Sequence, residues 1–170
     1  EGSASSTVKA DSVQLNASKL TVKNMNAAVS GKTTIDYGAT LTVADATYNT
    51  KSMEVKSQGT LVNDNGTISS TDAIVVNGGI VQGSGTFSAI TLNSGKLLVS
   101  NSSGQMNFTG DLVLGDGEIR FSVDGFVEAV VPDHWTNSVC SSVNMGGQDF
   151  IFNSDSVLSV GFGGNTLDVN

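Results

Sequence analysis

The chain is poor in several residue types, and each scarcity excludes a class of protein. It has one cysteine and one proline, Cys140 and Pro132, and charged residues make up only 14% of its 170 residues. A lone cysteine excludes a scaffold stapled by internal disulfides, and glycine does not recur at every third position as collagen requires. Disordered segments are richer in charge and proline, and poorer in Val, Ile and Leu. We therefore expect one ordered domain with a substantial core.

The few charges are unevenly distributed along the chain. The formal net charge is −8, and all eight cations precede Phe121, while residues 121–170 carry six carboxylates and no cation. Nucleic acid is not an expected partner, because neutralising phosphates requires clustered Lys and Arg. No apolar run approaches the roughly 18 residues of a membrane-spanning helix, so no direct membrane insertion of this segment is predicted. The start, Glu-Gly-Ser-Ala-Ser-Ser, has no initiator Met and no signal-peptide regions, which indicates a processed chain or an excised piece.

What the chain has in abundance is a short internal repeat. Gly, Ser, Thr and Asn supply 74 of the 170 residues, and they separate pairs of apolar triplets in which every second residue is apolar. Such alternation is typical of half-buried strands, and the Gly- and Asn-rich inserts are typical of corners. The first triplets of the successive pairs begin at Val13, Ile35, Met53, Ile74, Ile90 and Leu112, a mean spacing of about 20 residues.

Two architectures fit these pairs of strands. The inserts could close antiparallel hairpins of a β-sandwich binding module, or they could be corners of a coil whose turns stack as parallel strands. We favour stacking, because a solenoid tolerates variable lengths between its repeats. The predicted fold is all-β, a parallel β-helix solenoid with coils of about 20 residues. Residues 1–121 form the repeat region, and residues 122–170 form an irregular excursion, atypical coil or cap of the same domain.

Candidate chemistry is sparse. Asp111, Asp116, Glu118 and Arg120 are the nearest match to the carboxylates and base of a polysaccharide-processing β-helix. Glu118 and Arg120 would share the outward face of one strand, where a surface ion pair is the favoured interpretation. Trp135 is interpreted as a packing anchor and kept as a weak binding candidate. We predict no enzyme activity, no cofactor and no metal site.

Other outward-facing side chains could form a binding surface. Thr21, Lys23, Thr42, Thr91 and Asn93 would lie in rows along the outside of the coil, where a glycan or a protein surface could bind. The open ends of the coil could pair with further coils.

Several stretches of the chain resemble the passenger domains of bacterial autotransporters and related surface adhesins, whose repeats are similar to Ser-Gly-x-Leu-x-Val. The matching segments are 39–43, 59–62, 93–99 and 164–169. The resemblance implies a right-handed parallel β-helix that is secreted or exposed at the bacterial cell surface, outside the outer membrane. It also implies adhesion or self-association, as a fragment of a longer surface protein.

The expected function is therefore an extracellular structural or adhesive β-solenoid. Its expected partners are a host-surface glycan or protein, or further copies of the solenoid. The alternatives are a carbohydrate-active or carbohydrate-binding β-helix, with the four residues around Asp111 in a groove, and the antiparallel sandwich.

Overall fold

The computed structural model describes residues 6–99, 105–124, 139–140, 142–144, 150–152, 157–162 and 165–168, and these residues contain strands and no helix. The strands are β1 (Thr7–Ala10), β2 (Val13–Leu15), β3 (Lys19–Lys23), β4 (Asn26–Ile35), β5 (Thr40–Ala44), β6 (Thr47–Lys56), β7 (Thr60–Ser70), β8 (Ile74–Phe87), β9 (Ile90–Val99), β10 (Gln105–Phe108), β11 (Leu112–Leu114), β12 (Glu118–Asp124), β13 (Val139–Cys140), β14 (Ser142–Asn144), β15 (Phe150–Phe152), β16 (Val157–Phe162) and β17 (Asn165–Asp168).

The strands stack in parallel as a β-solenoid, which confirms the predicted fold class. Leu20 is in register with Leu41, Leu41 with Leu61, and Leu61 with Val81, so that one turn takes about 20 residues. Neighbouring turns pair in parallel, whereas the sandwich alternative requires antiparallel hairpins. That alternative is wrong.

Each turn has three faces, whereas the repeat predicted from the sequence contains two strands. Face A contains β1, the first part of β4 and β6, the last part of β7 and β8, then β10 and β14. Face B contains β2, the last part of β4 and β6, the first part of β8 and β9, then β11 and β15. Face C contains β3, β5, the first part of β7, the middle of β8, the last part of β9, then β12 and β16.

Face A is the part that sequence analysis treated as variable connections between repeats. Its inward row contains Val8, Ala27, Tyr48, Ile68 and Phe87, in register from turn to turn. Small and polar residues interrupt the neighbouring inward positions, so the alternation that marks a strand is weak there. The recurring row nevertheless closes the core from the third side.

The second predicted repeat was misaligned by two residues. Val13 is in register with Thr33, not with Ile35, and Tyr37 lies in a turn with 60% of its surface exposed. Thr33 is buried because its hydroxyl pairs with the Tyr48 hydroxyl at 2.9 Å and with Thr50 Oγ1 at 3.1 Å. Burying a hydroxyl that forms hydrogen bonds costs little free energy. Threonine can therefore occupy a position where the alternating pattern predicts an aliphatic residue.

The core is a column of apolar side chains between the three faces. Leu41, Leu61, Ile74 and Leu97 have no exposed surface. Burial raises the pKa of Tyr48, and the hydrogen bond with Thr33 acts in the opposite direction. The tyrosine is therefore a neutral hydrogen-bonding group within the core.

The corner between faces C and A depends on one buried amide and a glycine. Asn63 Oδ1 accepts a hydrogen bond from the Gly66 amide at 2.9 Å, and Asn63 Nδ2 donates to the Thr86 carbonyl at 3.0 Å. Gly83 is in register with Asn63 at a φ of 117°, and a Cβ there would overlap the Asn63 carbonyl oxygen. Only glycine fits this position without a backbone shift.

The last described strands add a turn and two antiparallel contacts. β14, β15 and β16 stack in parallel on β10, β11 and β12. β13 pairs antiparallel with β12, and β17 pairs antiparallel with β16. The two triplets Leu158–Val160 and Leu167–Val169 have the apolar alternation of one more repeat, but Val160 lies opposite Leu167 in an antiparallel pair. β17 therefore folds back on β16 instead of continuing the coil.

Candidate interaction surface

The acidic residues singled out from the sequence lie at separate places on the solenoid. Asp111 and Asp116 are exposed and lie at opposite ends of β11. Glu118 begins β12 and forms an ion pair with Lys96 on the preceding turn, at 3.4 Å between Nζ and Oε2. Arg120 follows on the same strand, and its side chain lies outside the described part. Trp135 lies outside the described residues altogether.

The outward rows predicted from the sequence are present. Thr21 is in register with Thr42 on face C, and Thr91 lies on face B between Val75 and Val113. Val62 interrupts the face C row directly after Thr42. The threonine rows on this face are therefore short, with Thr21 beside Thr42 on the first two turns and Thr40 beside Thr60 on the second and third.

Polar contacts join successive inner turns along face B. Glu54 accepts hydrogen bonds from Lys32 at 2.6 Å and from Asn77 at 3.1 Å, and Asn77 Oδ1 in turn accepts from Asn93 at 3.0 Å. The bonds from Lys32 and then Asn77 lower the pKa of Glu54. This network links neighbouring turns through their outer side chains.

A second cross-turn ion pair lies at the corner between faces B and C. Asp36 Oδ2 is 3.2 Å from Lys56 Nζ, and Asp36 Oδ1 accepts from the Tyr37 amide at 2.8 Å. The backbone hydrogen bond, followed by the bond from Lys56, lowers the pKa of Asp36. Asp36 and Glu54 thus each pair with a lysine on a neighbouring turn.

The first described turn, β1 to β3, differs because it has a neighbouring turn on one side only within the described residues. In the described part, β1 and β2 pair only with β4, and β3 pairs only with β5, so each strand has an unpaired edge. Its inward side chains cover the core from one side only. We call the outer side of β1, β2 and β3 the end surface.

The end surface combines exposed apolar groups with unpaired backbone. Val8 is in register with buried Ala27, yet 55% of its surface is exposed. Val22 is buried, and the other inward side chains of this turn that are half-buried against the core are Ala10, Val13, Leu15 and Leu20. Unpaired strand edges are templates for pairing with another chain, and clustered exposed apolar groups are typical of protein interfaces.

An open groove continues from this end across the corner between faces A and B. Its volume is about 780 Å³, and it is lined by small, polar and lysine side chains. The lining residues are Lys9, Ala10, Asp11, Ala28, Val29, Ser30, Asn49, Thr50, Lys51 and Thr71. Since Lys9 and Ala10 belong to β1, the groove and the end surface are continuous.

Comparison with known protein families identifies a relationship that the repeat pattern did not reveal. Residues 3–129 match the model of a family described as the B-type subunit of the discoidin-inducing complex. The chain belongs to this family. Comparison with curated proteins and with solved structures gives no significant match.

The predicted membership of the bacterial autotransporter and surface adhesin families is therefore wrong, as is the adhesin function inferred from it. The Ser-Gly-x-Leu-x-Val pattern describes a corner followed by a strand with one buried face, as in Thr40–Ala44. Any parallel β-solenoid needs that pattern for its geometry. The pattern identified the fold correctly, but it could not identify the family.

Two further properties of the described residues bear on function. No helix among them is long and apolar enough to cross a membrane. No group of three or more His, Cys, Asp or Glu side chains in this part is placed to hold a metal ion. That the chain is exported and that it is not an enzyme stay predictions.

Proposed function

We propose that this chain is a structural component of a protein complex and that another component docks on the end surface. The observation that carries the proposal is the exposed cross-section of the first turn, with Val8 more than half exposed above the core and three strand edges unpaired in the described part. The family description names one component of a complex, which supports a protein as the ligand.

The chemistry of the end surface favours strand addition. A docking strand would pair its backbone with β1, β2 or β3. Its alternate side chains would then lie over Val8, Leu15 or Leu20, respectively. Burying these half-exposed groups would contribute hydrophobic stabilisation that the isolated chain lacks. The rigid inner turns would hold the docking surface in one geometry.

The groove extends the area available to the same partner. Lys9 and Ala10 line both surfaces, so a segment leaving the end surface could continue over Ala28 and Asn49. Protein interfaces of ordinary stability bury about 800 Å² on each partner, more than a few exposed side chains provide. An interface that includes the groove therefore fits a stable complex better than the end surface alone.

The test compares two substitutions on β1. Val8→Asp places a carboxylate at the centre of the end surface, whereas Thr7→Asp places one at the neighbouring exposed residue, which faces the opposite side of the strand. The tagged full chain is expressed in the cells that produce it naturally, and their extract is separated by size-exclusion chromatography.

We expect the wild-type chain and Thr7→Asp to elute in a high-mass assembly, and Val8→Asp to elute as the free 17.4 kDa chain. Circular dichroism of the purified variants checks that the fold is retained. Elution of the wild-type chain only as the free protein would overturn the proposal, and so would normal assembly of Val8→Asp.

A further inference from the structure

Three of the four inner-turn lysines pair with a carboxylate, whereas the fourth, Lys51 on β6, is exposed and is not part of the ion pairs within the described residues. On the inner turns, Lys32, Lys56 and Lys96 each form an ion pair with a carboxylate on a neighbouring turn. The ion pairs within the described residues do not include Lys9, Lys19 or Lys23, which are the exposed lysines of the first turn.

The register explains why the first-turn lysines differ. Lys9 is in register with Ala28, Lys19 with Thr40, and Lys23 with Ala44, so the turn below places no carboxylate directly beside them. Within the described residues, no strand is paired with β1 or β3 on the other side, at the end surface, so no carboxylate reaches these lysines from that side. On the inner turns, Glu118 lies directly beside Lys96, and Lys32 reaches Glu54, which lies two residues beyond its register partner Ser52.

β3 defines the side-chain order that a strand docked on the end surface would need. Lys19, Thr21 and Lys23 face outward, while Leu20 and Val22 face the core side. A parallel strand stacked on β3 places its side chains directly beside these, outward on outward and inward on inward. Carboxylates would then lie beside the two lysines, and aliphatic side chains would lie over Leu20 and Val22.

We propose that the docking protein binds β3 through an extended segment of the form acidic, aliphatic, any, aliphatic, acidic. This inference rests on the proposed function and adds the chemistry of the partner. Apolar contact and backbone pairing supply attraction, while the two charged positions select the strand and set its register.

The probe is a short fluorescein-labelled peptide with Glu-Val-Thr-Val-Glu at its centre, and binding to the full chain is measured by fluorescence anisotropy. A second peptide carries Lys-Val-Thr-Val-Lys, and a third carries Val-Glu-Thr-Glu-Val, which has the same composition with its acidic and aliphatic positions exchanged. We expect the first peptide to bind about tenfold more tightly than either of the others, and its affinity to fall as salt is raised.

Charge reversal on the protein completes the test. In the double variant Lys19→Glu with Lys23→Glu, we expect about tenfold weaker binding of the first peptide and tighter binding of the lysine peptide. The control is Thr60→Glu with Val62→Glu, which adds negative charge on face C two turns away and leaves the end surface intact.

Each other outcome overturns the inference. Equal binding of the three peptides, no binding of the first, or an unchanged affinity in the double variant would each show that the lysines do not select an acidic strand. If Val8→Asp blocks assembly while Lys19→Glu with Lys23→Glu assembles normally, the inference fails and the proposed function stands. If the purified chain alone forms dimers that the double variant abolishes, the occupant is a second copy and not a different protein.

Discussion

The inner turns and the first turn of the solenoid are built from similar sequences, yet their environments differ. Leu41 and Leu61 have no exposed surface, whereas Leu20, which occupies the same position on the first turn, is half-buried. Three inner lysines, Lys32, Lys56 and Lys96, pair with carboxylates on a neighbouring turn, whereas those of the first turn do not within the described part. The comparison shows that a turn on each side completes the burial of leucine at this repeat position, whereas Val22 on the first turn is buried with one neighbouring turn.

The largest difference in stability between an inner turn and the first turn is expected when a leucine at the same repeat position is changed to alanine. Leu61→Ala leaves a cavity at a fully buried position and should lower the free energy of unfolding by about 2–5 kcal/mol. Leu20→Ala should cost less than about half as much, because its side chain is already partly hydrated. Urea unfolding followed by circular dichroism measures both, and equal losses would contradict the distinction between the turns.

Alanine substitutions at two glycines, Gly83 and Gly38, test how closely neighbouring turns approach each other. Gly83→Ala should cost about 3 kcal/mol, because its Cβ would overlap the Asn63 carbonyl and its φ of 117° is unfavourable for alanine. Gly38 also has a positive φ, but the nearest atom to its added Cβ is 3.8 Å away, so Gly38→Ala should cost only about 1 kcal/mol. Similar melting temperatures for the two variants would argue against close packing at Gly83.

The buried hydroxyl network predicts a smaller effect. Thr33→Val keeps the volume but removes the partner of the Tyr48 hydroxyl, and it should cost about 1–2 kcal/mol. Thr34→Val, at the next and outward residue, is the control and should change stability by less than about 0.5 kcal/mol. The same denaturant titration applies, and a neutral Thr33→Val would show that the hydroxyl does not stabilise the core.

The smallest effect concerns the ion pairs between inner turns. Lys32→Ala should lower stability by less than about 1 kcal/mol, and Lys19→Ala on the first turn should leave it unchanged within error. High salt should remove most of the difference between these variants. A larger loss for Lys19→Ala would show that the first-turn lysines are already paired in the isolated chain.

The same pairs predict a direction for pH dependence. The pKa values of Glu54 and Asp36 are lowered in the folded chain, so the folded state releases these protons more readily than the unfolded state. Their stabilising contribution is complete above the ordinary pKa values of 4.5 and 3.8 and is lost as pH falls through the lowered ones. Glu54→Gln should flatten the stability profile below about pH 4.5, and an unchanged profile would contradict this.

How much of the fold could be predicted varied between the faces. On faces B and C, aliphatic alternation around Leu41 and Ile74 predicted the strands, and the variable spacing between repeats favoured stacking them in parallel. Face A was missed because its inward positions include Ala27 and Thr50, whose small or polar side chains weaken the alternation. The available signal was the recurrence of larger residues such as Tyr48 and Ile68 about one turn apart.

The end surface could not be predicted from the residues that form it. Lys19–Lys23 has the same alternation as Thr40–Ala44, which lies on an inner turn. Nothing within the five residues indicates that one segment has a neighbour on both sides and the other on one side. The acidic candidates around Asp111 were chosen by residue type, and residue type does not specify where the corners of the coil place them.

The sequence by itself determined short strands with one buried face, repeated about every 20 residues, because alternation requires such strands and the Gly- and Asn-rich inserts permit corners. The variable spacing between repeats then favoured parallel stacking over hairpins. Only the tertiary structure showed that each turn has a third face, that the register places Thr33 in the core, and which lysines form ion pairs with carboxylates. Those properties depend on contacts between residues a full turn apart, and the position of a turn within the stack determines whether such contacts exist.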